Sequence, residues 1–305
     1  MNYILSKEEM ERVFAAISGD FETYGAVEKE GEVLFDRVHS LAEVSENRSR
    51  YAPKEFLIRR NENVLYLEEQ QRKAVFGITS CDLKGFYLMD RQILNRDPFY
   101  TERRNKTLFV NYVCNTPCEG GFCSSFGGPV LDEFDIQVLR EGNDYHIMAS
   151  DKYDKYFNGC RNDDGSYFTD FKRKFNTEMP PLKVDGLESR IKWNSPIWKE
   201  FASRCISCGA CNYSCPTCYC FDLYDDGDER KREWDSCVLS GFTSSSAGNI
   251  RNGLDERLRQ RFYHKFVYFK KSKDEFLCTG CNRCVEDCPV GIDIKEVITH
   301  DYSNE

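Results

Sequence analysis

The sequence has no apolar run approaching the ~20 residues that a membrane-spanning helix needs. Its first residues, MNYILSKEEMERVF, carry acidic side chains where a cleavable apolar leader would stand. The expectation is therefore no signal peptide, no direct membrane insertion and a cytoplasmic location. Basic residues are in the minority: 42 Lys and Arg stand against 51 Asp and Glu, for a formal net charge of −9. The positive surface of a nucleic-acid binder is missing. Nucleotide-cradling loops are missing too, with neither G-x-G-x-x-G after a strand nor G-x-x-x-x-G-K-[ST], and Gly127-Gly128 alone is too short a signal. H-E-x-x-H and G-x-S-x-G are absent, so nothing points to hydrolysis, or to a flavin or nicotinamide site on this chain. With 305 residues and 40% hydrophobic content, the chain is still long and apolar enough to bury a sizeable core.

What the chain has in excess is cysteine, 16 in all. Disulfides rarely persist in a reducing compartment, so clustered cysteines there read as metal ligands or redox groups. Cys205, Cys208, Cys211 and Cys215 form C-x2-C-x2-C-x3-C followed by Pro216. Cys278, Cys281, Cys284 and Cys288 repeat the pattern, followed by Pro289. Three cysteines two residues apart wrap a tight loop around one cuboidal 4Fe-4S cluster, and the fourth faces away and ligates the other. The expected sets are crossed: Cys205, Cys208, Cys211 and Cys288 for one cluster, and Cys278, Cys281, Cys284 and Cys215 for the second. Zinc sites use paired C-x2-C and close on four ligands; two complete motifs, each with its proline, favour iron–sulfur. The 62 residues between the motifs exceed the link of a compact bacterial ferredoxin and resemble that of an alpha-helical ferredoxin.

A second constellation comprises Cys81, Cys114, Cys118 and Cys123. Residues 73–80 (KAVFGITS) and 107–113 (TLFVNYV) read as strands with a helix between them, a βαβ unit with a parallel pair. Cys81 and Cys114 then fall at neighbouring strand ends, where open α/β sheets place their sites. Gly120 and Gly121 allow the chain to fold back so that Cys118 and Cys123 converge. A third 4Fe-4S cluster is expected there, against the alternatives of buried structural thiols or zinc. Cys218, Cys220 and Cys237 could bind a further metal, replace a crossed ligand or pack beside the clusters; Cys160 reads as idle.

Ser6 and Glu9 form a capping box before the helical spacing of Met10, Val13, Phe14 and Ile17. Residues 136–139 and 145–148 flank Glu141-Gly142-Asn143 as a hairpin, and 150–190 read as a polar stretch ending the first domain. Ser195 with Pro196 starts a helix that leads to Cys205. Leu254, Leu258, Phe262 and Phe266 recur every four residues on an amphipathic helix, whose Arg and Lys read as a solvated face, with a docking surface as the alternative, and whose His264 reads as packing or hydrogen-bonding. The fold class is α+β: an N-terminal α/β domain over 1–190 and an alpha-helical dicluster ferredoxin domain over 191–305.

The segments RCISCGACNYSCPTCYCFD, EWDSCVLSGFTSSSAGNIR, RLRQRFYHKFVYFKK and CTGCNRCVEDCPVGIDIKEVI closely resemble the beta subunit of cytosolic nickel–iron sulfhydrogenases. The corresponding component of anaerobic sulfite reductases is similar. APKEFL, GITSCDLKG and GGFCSSFGG extend the resemblance from about residue 50 to 298. It implies an electron-transfer subunit of a multisubunit oxidoreductase. The implied partners are a flavoprotein subunit resembling ferredoxin–NADP reductases, carrying FAD and binding NAD(P)H, and a catalytic subunit that is hydrogenase-like or sulfite-reductase-like. The alternative is a self-contained reductase of a small substrate at an open N-terminal cluster.

Overall fold

The computed structural model describes residues 1–303. Strand β1 (Asn2–Leu5) leads into helix α1 (Lys7–Asp20), whose capping box is formed: the Ser6 hydroxyl accepts from the Glu9 amide, and the Glu9 carboxylate accepts from the Ser6 amide. Such a cap contributes about 1 kcal/mol. There follow β2 (Glu22–Lys29), β3 (Glu32–Arg37), β4 (Asn61–Asn63) and β5 (Lys73–Thr79). Helices α2 (Ser80–Ile93) and α3 (Pro98–Lys106) lead to β6 (Thr107–Tyr112). The hairpin β7 (Ile136–Glu141) and β8 (Asp144–Ala149) turns at Gly142-Asn143, and β9 (Arg161–Asn162) ends the sheet.

The eight-stranded sheet has the order β3-β2-β5-β6-β7-β8-β1-β9, with β2, β5, β6 and β7 parallel. Its central strands are apolar without alternation because both faces are covered. Phe76, Leu108 and Val110 pack with Phe14 and Ile17 of α1 on one side. Val75 and Phe109 pack with Leu83, Phe86 and Met89 of α2 and Tyr100 of α3 on the other. The βαβ unit therefore stands, with α3 as a second helix in the connection.

The polar stretch 150–190 contains a helix that its composition conceals, α4 (Ser166–Glu178), which buries Phe168 and Phe175. Beyond it come α5 (Leu187–Arg190), α6 (Ile197–Arg204) and α7 (Ala210–Tyr213). Helix α6 begins after Pro196, and the Ser195 hydroxyl accepts from the Ile197 amide at 3.3 Å. A hairpin, β10 (Phe221–Asp226) and β11 (Glu229–Trp234), interrupts the helical region. Strand β11 pairs with β4, so a small sheet is built from both halves of the chain. Helix α8 (Leu254–Tyr263) continues through a π-helical turn, His264–Tyr268, into α9 (Phe269–Lys273); α10 (Arg283–Glu286) and α11 (Ile294–Thr299) close the chain. The C-terminal core of Trp198, Phe201, Phe262 and Phe266 also takes in Phe122 and Phe126 from the sheet-rich region. No helix among the described residues is long and apolar enough to cross a membrane.

Candidate metal centres

Cys205 caps the end of α6, and Gly209 in the left-handed region (φ 75) turns the chain into the short α7, which carries Cys211. The second motif repeats this, with Asn282 in the left-handed region before α10, which carries Cys284. Two neighbouring cavities result. One is lined by Cys205, Cys208, Cys211, Cys284 and Cys288. The other is lined by Cys215, Cys278, Cys281 and Cys284. The structure thus brings Cys288 to the first motif and Cys215 to the second. Cys284 and Arg261 line both cavities, so the two share a wall.

The remaining four cysteines lie at the carboxyl end of the parallel strands. Cys81 is in the first turn of α2, just after β5, and Cys114 follows β6. Gly121 folds back on Cys118, donating its amide to the Cys118 carbonyl at 3.0 Å. A Cβ on Gly121 would stand 2.4 Å from the Cys118 sulfur, so only glycine leaves room for that thiol. The Cys114 and Cys123 thiols are raised to about 11 and about 12, first by burial and then by neighbouring cysteines, Cys118 among them. This group abuts the second motif. The Phe122 amide donates to the Gly280 carbonyl at 2.8 Å, and a Cβ on Gly280 would meet the Phe122 carbonyl carbon at 2.5 Å and the Cys123 Cα at 2.7 Å.

Around the second cavity stand buried cations that the spacing of the sequence placed in solvent. Arg257, Arg261 and Lys265 are all buried, contrary to the expected solvated face. Burial comes about because residues one position before Leu258, Phe262 and Phe266 also turn inward, Arg257 to the carbonyls of Val238, Arg251 and Asn252, and Arg261 and Lys265 towards the cysteine loops. Lys265 Nζ donates to Cys215 Sγ at 3.2 Å, to Thr217 Oγ1 at 2.8 Å and to the Leu277 carbonyl at 3.1 Å. Arg261 donates to Asn212 Oδ1 at 2.7 Å and to the Cys211 carbonyl at 3.1 Å. Lys54, from the APKEFL segment, donates to the carbonyls of Asn212, Cys215 and Cys218 and lies 4.3 Å from the Trp234 ring centroid. None of these three cations forms an ion pair with a carboxylate among the described residues.

Burial disfavours the charged forms of Lys265 and Arg261, but the sulfurs of Cys215 and Cys218 at both, with Cys211 and Cys284 at Arg261 and Cys278 at Lys265, outweigh it, and both pKa values are raised. Lys54 is shifted down, by burial above all. A hydrogen bond with Cys218 holds Cys215 well below an ordinary thiol; burial opposes this, and Lys265 and Arg261 reinforce it. Burial pushes Cys278 up to about 12. Thiolates there need a cationic core to hold them, and the unpaired cations need a net anion. An iron–sulfur cluster with cysteine ligands meets both demands, so the residues present fit the group. Among the described residues no three His, Cys, Asp or Glu side chains close on a single metal ion.

At the N-terminal group Arg283 and Arg48 are paired with carboxylates. Arg283, fully buried, makes two hydrogen bonds to Asp82, at 2.5 and 2.9 Å. Arg48 pairs with Glu286 and donates to the Cys281 carbonyl.

The other cysteines line neither cavity. Cys220 and Cys237 hydrogen-bond to each other, which with Asn212 holds Cys237 down to about 6 against burial. Cys218 is hydrogen-bonded to Cys215 and lines neither cavity. Cys160 packs on the N-terminal core. His264 is hydrogen-bonded to the Tyr219 hydroxyl at 3.4 Å, and burial lowers its pKa to about 4.

The 4Fe-4S dicluster domain family matches residues 204–292, which contain both motifs. The helical C-terminal region therefore carries a 4Fe-4S dicluster domain. Over 330 aligned positions it is 29% identical to Sulfhydrogenase 2 subunit beta of Pyrococcus furiosus, with 98% of each chain covered. Together these matches support the sulfhydrogenase beta-subunit family that its segments resemble. No solved structure matches the chain.

Proposed function

We propose that this chain is the electron-conducting subunit of a multisubunit, cytoplasmic oxidoreductase. Cys205, Cys208, Cys211 and Cys288 would hold one 4Fe-4S cluster, and Cys278, Cys281, Cys284 and Cys215 a second. Cys81, Cys114, Cys118 and Cys123 would hold a third. The observation that carries this reading is the contiguity of the three cysteine groups: two cavities share Cys284, and the third group abuts Gly280. Bound clusters accept and release one electron at a time, whereas a nicotinamide delivers two as hydride, so a flavin must stand between them. With no flavin motif on this chain, the FAD belongs to a partner subunit, and a catalytic subunit takes the electrons onward. The parts over 1–190 and 191–305 would act as one body, since β4 pairs with β11 across the boundary.

The test is anaerobic purification of the chain. It should hold about twelve irons for three clusters, or about eight if only the C-terminal pair forms. It should contain no flavin, and NAD(P)H should reduce it only after the flavin subunit is added. Replacing Cys118 or Cys123 should slow that reduction. Stoichiometric flavin on the isolated chain, with direct reduction by NAD(P)H, would overturn the conduit reading.

A further inference from the structure

The cavity of the second motif is the most enclosed of the three cysteine groups: Cys215, Cys278 and Cys281 are all buried, whereas the N-terminal four are partly exposed. Burial alone makes a cluster harder to reduce, because each added electron increases an anionic charge taken out of water. Hydrogen bonds to the sulfurs and nearby positive charge act in the opposite direction. Lys265 supplies both at once, with its ammonium 3.2 Å from Cys215 Sγ and no carboxylate to neutralise it. Its other two contacts, Thr217 Oγ1 and the Leu277 carbonyl, are uncharged, so they fix its position without cancelling its field. At a few ångström in a site of low dielectric, one unit charge is a large perturbation. Arg261 adds a second charge against the wall shared by both cavities. At the N-terminal group Arg283 also reaches a sulfur, Cys81 Sγ at 3.9 Å, but its charge is compensated by Asp82, and that of Arg48 by Glu286.

We propose that Lys265, supported by Arg261, is a potential-setting residue: its fixed positive charge offsets burial and keeps the cluster of Cys278, Cys281, Cys284 and Cys215 reducible by its neighbours. The proposal rests on the ligand reading above. A wild-type protein without a second C-terminal cluster signal would overturn both.

The experiment is an EPR-monitored redox titration of anaerobically purified, full-length wild type, Lys265→Met and Lys265→Arg, each with iron content measured first. Lys265→Met should lower the midpoint of that cluster so that, at fixed applied potential, its reduced fraction relative to oxidised falls at least tenfold, a shift of 59 mV for one electron. Lys265→Arg should stay within about threefold of wild type, and the N-terminal signal should not move in either variant. Loss of about four irons from the Met variant but not from the Arg variant would also support a required charge. The proposal fails if Lys265→Met keeps its irons and its potentials. It fails equally if Met and Arg lower the midpoint alike or both lose the cluster, since shape and not charge would then be the cause.

Discussion

The two ends of the cysteine array handle buried positive charge in opposite ways. At the N-terminal group the protein neutralises its own cations: Arg283 lies fully buried against Asp82, and Arg48 against Glu286. At the C-terminal pair, Lys54, Arg261 and Lys265 are buried among carbonyls, an amide oxygen, a hydroxyl, sulfurs and aromatic rings, with no carboxylate paired to them among the described residues. An uncompensated charge out of water costs several kcal/mol unless an anion answers it. The C-terminal pair is thus built around an anion that the polypeptide does not supply, whereas the N-terminal group carries its own counter-ions. On the proposed ligand reading, the first kind of site would depend on bound clusters for stability, and the second much less.

The largest effect should come from breaking the compensated side. Asp82→Asn leaves Arg283 buried without its carboxylate, and removing one partner of such a pair costs about 3–5 kcal/mol. Denaturant unfolding of the iron-loaded protein should show that loss as a lower midpoint. An Asp82→Asn protein as stable as wild type would mean that the N-terminal charges are not balanced in the way the contrast requires.

Next in size is the crossed ligand. Cys215 lies in the first motif's chain segment but in the second motif's cavity. Cys215→Ser should remove about four of about twelve irons and the spectroscopic signal of the cluster of Cys278, Cys281 and Cys284. A loss confined to the signal of Cys205, Cys208 and Cys211 would reverse the pairing.

A smaller effect tests the contact between the two regions. Gly280 has φ 70, and a Cβ there would collide with the backbone of Phe122 and Cys123. Gly280→Ala should cost about 1–3 kcal/mol from strain at that backbone position. It should also slow electron passage between the N-terminal group and the second motif, measured by the rate at which the C-terminal signals appear after flavin-driven reduction. Unchanged stability and rate would argue that the two groups are not in close contact.

Much of this was legible from the chain. The two C-x2-C-x2-C-x3-C motifs, the strands before Cys81 and Cys114, and the cap at Ser6 each depend on local spacing, and local spacing is what a sequence displays. Helix α4 was not legible because its composition is polar and only Phe168 and Phe175 turn inward. The hairpin β10–β11 was hidden because its strands are charged and mostly exposed, without the apolar alternation that marks a strand, although its turn is local. The buried cations were misread for a different reason. Arg257, Arg261 and Lys265 recur every four residues beside the apolar row, and a row of bases on a helix ordinarily faces water. A signal was present: no acid interleaves with them after Glu256, whereas solvated faces tend to alternate sign. Lys54 offered none, since its partners are carbonyls of the first motif.

The smallest effect is the most discriminating, because its sign is opposite to that of Lys265→Met. Glu286 is partly exposed and pairs with Arg48, whose other amino group donates to the Cys281 carbonyl at 2.5 Å. Partly exposed pairs contribute little, so Glu286→Gln should cost no more than about 1 kcal/mol in stability. The variant retains an amide that can still accept from Arg48, so the guanidinium should stay in place while losing its neutralising charge. One more uncompensated cation then stands at the Cys281 backbone, between the second motif and the N-terminal group. The nearer clusters should become easier to reduce, with the reduced-to-oxidised ratio at fixed potential rising by less than the tenfold that 59 mV represents. EPR-monitored titration of Glu286→Gln beside Lys265→Met reads both signs in one experiment. If the two variants move the midpoints in the same direction, charge balance does not distinguish the two ends of the array, and the contrast between them is one of packing alone.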